Sequence, residues 1–203
     1  MSEGDPDRSE GASDLPAIEF ESPGRFPRGA TLPASAPASA LAERSAERHP
    51  FETAEQARHH ALALMLQARR NLDLYSTDLE SWLYSRVEIQ QACARLLRTH
   101  PRNRMRILLA DSSRAIRESH RLLALSRRLT SNLHIRRLNP DYPIEQSTFL
   151  IVDEQGVLIR SSPELFAGYA VYQDAARARQ RQQMFDSAWA HSLPDPDLRS
   201  FLL

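Results

Sequence analysis

Four side chains stand out as a candidate binding group: Arg114, Arg117, His120 and Arg121. The three arginines, with Arg128, fall on the face of a predicted helix opposite its apolar stripe. His120 sits between Ile116 and Leu123, close to Arg117 and Arg121. Guanidinium forks bind phosphate or carboxylate through paired donors, and a neutral imidazole adds one donor and one acceptor. The plainer alternative is a histidine at the edge of the core, bonded locally, beneath arginines that simply face solvent. Little else offers chemistry. All 26 basic side chains are arginine, so the chain has no lysine for Schiff-base chemistry or a phosphate-loop motif. His59, His60, His100, His134 and His191 lack ligand spacing, so no metal or other cofactor is expected. No Gly-x-Ser-x-Gly elbow occurs. The single cysteine, Cys93, falls on an apolar helix face and reads as core. Phe166, Tyr169 and Tyr172 have the aromatic character to stack on bases, but such residues more often cover the end of a sheet.

The elements that must carry these residues follow from periodicity. Thr53 is placed to cap a helix running to about Arg70, with Ala57, Ala61, Leu64 and Ala68 on one stripe. Residues 71–76 read as a strand, 81–99 as a helix ended by Pro101, and 105–111 as a buried central strand. A third helix is predicted from Ser112 or Ser113 to Leu129, then a strand over 132–138. Residues 147–153 and 157–161 form a predicted hairpin, with Gly156 offered for positive φ. A last helix runs from Asp174 to Ala190, with Ala175, Ala178, Phe185 and Trp189 on one face. The alternation predicts an α/β domain over 49–203, a mixed sheet flanked by helices.

That order resembles one half of a phospholipase D-like domain, most clearly over 147–189. In that superfamily a strand carries His-x-Lys, then four residues and an aspartate. A Gly-Ser step with an asparagine follows, and a closing helix bears Phe and Trp. Asp153, Phe185 and Trp189 fall at matching positions. Gln146 stands at the histidine position and Thr148 at the lysine position; Arg160-Ser161 replaces Gly-Ser, and Pro163 replaces the asparagine. Glutamine cannot form a phospho-histidine intermediate, and neutral threonine cannot stabilise phosphoryl charge. The resemblance therefore implies a degenerate site without phosphodiesterase activity. Asp153 then reads as the start of a turn. Two halves meet to complete one site in active members, which implies a homodimer or another docked protein here. The chain also looks like a family of uncharacterised proteins from Pseudomonas and related proteobacteria, through 68–80, 106–113, 119–129 and 147–189. Some of that family carry an acetyltransferase label through association with a GNAT domain. The nearest approach to a GNAT acetyl-CoA turn is RSEGAS at 8–13, which ends in Ser13 instead of glycine or alanine.

Charge is distributed unevenly over the 203 residues. The formal net charge is zero, but residues 1–50 hold nine acids against five arginines. Between Arg95 and Arg137 stand twelve arginines against Asp111 and Glu118. A zone of that sign attracts nucleic acid, phosphate or an acidic partner. Seven of the thirteen prolines lie within residues 1–50, and 1–48 reads as a disordered tail in which Phe20 and Phe26 stand isolated. No run of about 18 apolar residues suggests a membrane span, and the acidic opening residues do not look like a secretory signal, so a cytoplasmic location is expected. The leading expectation is a non-catalytic domain binding a protein partner or anionic ligand through its arginine face. The alternatives are a nucleic-acid-binding accessory protein, or an acyltransferase-associated protein or hydrolase with relocated residues.

Overall fold

A computed structural model of the chain describes residues 47–143 and 145–199. The expected tail, with Phe20, Phe26 and the 8–13 segment, lies outside the described residues except for Glu47 and Arg48. The strands are β1 (His49–Phe51), β2 (Asn71–Ser76), β3 (Arg104–Leu109), β4 (Leu133–Arg137), β5 (Thr148–Val152), β6 (Gly156–Arg160) and β7 (Gly168–Val171). The helices are α1 (Ala54–Gln67), α2 (Ser81–Tyr84), α3 (Val87–Thr99), α4 (Ser113–Arg117), α5 (Arg121–Arg128), α6 (Ala175–Ala190) and α7 (Pro196–Arg199).

The strands form one mixed sheet in the order β1-β7-β6-β5-β2-β3-β4. β2, β3 and β4 are parallel, and the remaining neighbours pair antiparallel. Alternation along β2 explains the layering. Leu72 and Leu74 face a core shared with Ala57, Leu64, Cys93, Leu97 and Leu122 of α1, α3 and α5. Tyr75, one residue out of phase, faces Phe185 and Ala188 of α6. With helices on both faces, β5 and β6 are buried throughout, which is why they read as unbroken apolar runs. Arg106 fastens α6 to the sheet. It pairs with the buried Asp73 at 2.7 Å and with Asp186 at 2.8 Å, beneath the rings of Phe185 and Trp189.

Four expectations need correction. The helix predicted over 81–99 breaks at Ser85–Arg86, where Arg86 is extended and α3 starts afresh. The helix predicted over 112–129 breaks into α4 and α5: Ser119 is left-handed, and the His120 imidazole caps α5 by accepting the Leu122 N–H. The positive φ values of the β5–β6 turn fall on Asp153 and Glu154, with the Gln155 N–H bonded to the Val152 carbonyl, instead of on Gly156. Gly156 is small for another reason, since a Cβ there would lie 2.8 Å from the Leu64 side chain. On α6 Ala175 is exposed, and Ala188 takes the expected place on the buried face. Two short strands, β1 and β7, extend the sheet; Pro50 is tolerated because β1 is an edge. Thr53 caps α1 as expected, in a reciprocal box with Gln56.

Candidate functional site

At the carboxyl ends of β2 and β6, two residues beyond the apolar layer of Leu74, Leu150 and Leu158, the sheet turns polar. Thr148 pairs with Arg160 across β5 and β6, and Ser76 occupies the next position in β2. All three share the phase of the apolar row below, so they point toward the α1–α3 side. Arg160 is fully buried, an arginine where the strand pattern asks for a hydrophobe. Its Nη1 bonds Glu80, which is also buried. Its Nε and Nη2 donate to the carbonyls of Leu165 at 3.0 Å and Pro163 at 2.8 Å, and Trp82 lies over the guanidinium. Burial pushes the Glu80 carboxyl up, and Arg160 pulls it back.

The loop after β2 is bent to deliver Glu80. Leu79 and Glu80 both have positive φ, a conformation that costs about 1–3 kcal/mol per non-glycine residue. Local bonds hold it. Ser76 Oγ accepts the Leu79 N–H at 3.0 Å and donates to Glu80 at 3.3 Å, and Asp78 accepts the Glu80 N–H. An ion pair thus fills the strand ends where the resemblance to phospholipase D-like domains puts the reacting groups. Gln146 is exposed, Thr148 is buried beside Arg160, and Ser161 is exposed. None of these is an activated nucleophile.

Asp153 is elsewhere, at the opposite ends of β2 and β5. Its carboxylate accepts the backbone N–H groups of Arg69, Arg70 and Asn71 at 2.6, 2.8 and 2.8 Å. This clamp joins the end of α1 to the start of β2. Asp153→Ala is expected to cost about 1–3 kcal/mol in urea unfolding, with part of the loss recovered by Asn.

The arginine group is divided by burial. Arg114, Arg117 and Arg121 are exposed, whereas His120 is fully buried and cannot meet a ligand. Arg114 is held by Asp78 and Glu118, each at 2.8 Å. Arg117 and Arg121 form no ion pair among the described residues. The Cys93 thiol is pushed up to about 12 by burial, which makes it core and not a nucleophile. No cluster of metal-ligating side chains occurs among the described residues. Among them, too, no helix is long and apolar enough to cross a membrane. The sequence reading missed Glu80 and Arg160 as a pair. The signal was there in part, since Arg160 keeps the inward phase of Leu158.

Solved structures share this fold. The phospholipase D family member Nuc from Salmonella typhimurium superposes with a TM-score of 0.53 at 15% identity, over 72% of this chain and 96% of that one. NucT from Helicobacter pylori gives 0.51 at 8% identity, over 73% and 99%. TrmBL2, described as an archaeal chromatin protein with a novel mode of DNA binding, gives 0.53 at 13% identity, over 80% of this chain and 56% of that one. No curated protein sequence matches. The fold is thus phospholipase D-like. The profile described as a domain of unknown function, DUF7931, matches residues 53–201, and the chain belongs to that family.

Proposed function

We propose that this is a non-catalytic domain of the phospholipase D-like fold that binds an anionic partner, a protein foremost, through Arg114, Arg117 and Arg121. The observation that carries the first half is the Arg160–Glu80 pair, which fills the strand ends where an attacking group would stand. The second half is supported by the excess of arginine between Arg95 and Arg137 and by the exposure of the three side chains. Turnover of a simple phosphodiester by the purified chain would overturn the non-catalytic reading. Binding of acidic probes should weaken with salt. Changing Arg114, Arg117 and Arg121 together to serine should cost about tenfold or more in affinity, with the melting temperature little changed. Unchanged affinity would remove the assignment.

A nucleic-acid partner is the second reading, favoured by the shared fold of the DNA-binding TrmBL2. Affinity for duplex DNA would then fall linearly in log–log salt plots, with a slope of about 0.9 per phosphate contact. A partner protein gives saturable binding that DNA does not displace. Light scattering of the full chain shows whether a second copy is that partner.

A further inference from the structure

β4 is an edge strand, and its outer side is only half covered. The ladder to β3 uses alternate residues, as the bonds Met105 N to Asn132 O and Leu138 N to Leu109 O show. Leu133, Ile135 and Arg137 therefore turn their main-chain groups outward. Arg137 exchanges both bonds with Leu193, at 3.0 and 2.8 Å, so the chain itself begins an antiparallel strand on this edge. Pro194 then leads it away toward α7. Among the described residues nothing bonds the N–H or carbonyl of Ile135.

A groove of about 360 Å³ runs beside this open stretch. Its walls are β4, the end of α5 and the Pro194–Leu198 segment. Arg127, His134 and Arg136 line it with Ile135 and Leu198, and no acidic side chain does. Arg136 lies on the Trp189 ring at 4.6 Å and has no carboxylate partner among the described residues. Basic side chains along an edge deter self-pairing, because a second copy paired at Ile135 would bring two arginines and two histidines, and no carboxylate, to one edge. The same charges select a strand that carries carboxylates.

We propose that the open edge of β4 and its basic groove dock an extended acidic peptide from a partner protein, added as an antiparallel strand opposite Ile135. This site rests on the anionic protein partner proposed above and adds to the arginine surface a second contact, at β4. Main-chain bonds at Ile135 would set the register, and glutamate or aspartate at alternate positions would meet Arg136 and His134.

The probe is a capped peptide alternating glutamate with valine or isoleucine, titrated into the full chain and followed by amide NMR. Saturation should slow hydrogen exchange of the Ile135 amide about tenfold or more. A glutamine analogue should bind about tenfold more weakly, and Arg136→Gln should weaken the acidic peptide similarly. Peptides N-methylated at the residues facing β4 should lose binding, and those methylated at the alternate residues should keep it. Equal binding of the two methylated peptides, or an unaltered Ile135 amide, overturns strand addition. If the peptide then still responds to the triple serine change, the arginine surface survives without the edge site. If neither the peptide nor an oligonucleotide binds, both readings fall.

Discussion

Arg160→Ala should lower unfolding stability by about 3–5 kcal/mol, the cost of leaving a buried charge without its partner. The partner is Glu80, buried and held in place by a left-handed turn that the guanidinium helps to fasten. Losing it also releases the Leu165 and Pro163 carbonyls, but these lie on an outer loop where water can replace the bonds. The control is a matched apolar pair, Arg160→Met with Glu80→Leu. It should recover more than half of the loss, because removing both charges also removes their desolvation cost. Denaturant unfolding of the wild type, Arg160→Met, Glu80→Leu and the paired variant forms a double-mutant cycle. A loss below about 1 kcal/mol for Arg160→Ala would mean that the ion pair does not hold the strand ends together.

Acid should destabilise the fold through His120, and replacing that residue should remove much of the effect. Burial lowers its imidazole from the ordinary 6.5 to about 4, with smaller opposing pulls from the Leu79 carbonyl, Glu118 and Asp78. Nδ1 accepts the Leu122 N–H, which leaves the proton of the neutral ring on Nε2. The folded state therefore binds its proton less readily than the unfolded chain. The stabilisation from a neutral His120 is complete above pH 6.5 and is lost as pH falls toward 4, by about 3 kcal/mol in all. At pH 5 the loss should already be about 2 kcal/mol. His120→Asn keeps a capping side chain and lacks the titration. Unfolding free energies of the two proteins between pH 7 and 4.5 should converge. Parallel curves would show that His120 is not the group responsible. His60, also lowered by burial and by His59 and His49, contributes equally to both curves and cancels in the difference.

Local pattern determined the larger part of this architecture. Apolar runs gave β5 and β6, the 3.6-residue stripe gave α1, α3 and α6, and Thr53 and Asp174 marked helix starts through short-range bonds. The departures from a phospholipase D-like motif at Gln146, Thr148 and Arg160 are also plain in the residues themselves. Features set by long-range contact were not legible. β1 and β7 are too short to announce themselves and exist because each pairs with the other and β7 with β6. The break at Ser119–His120 follows from burial of the imidazole, which helical periodicity does not register. The same burial takes His120 out of the binding group that its sequence neighbours suggested. Arg160 finds Glu80 eighty positions away in sequence, and only the bend at Leu79–Glu80 brings the carboxylate inward. Sequence alone determined the central strands, the apolar faces of the longer helices, and that glutamine and threonine stand at 146 and 148. Tertiary structure decided that Arg160 meets Glu80 at the strand ends, because a buried charge is satisfied only by the partner that folding delivers.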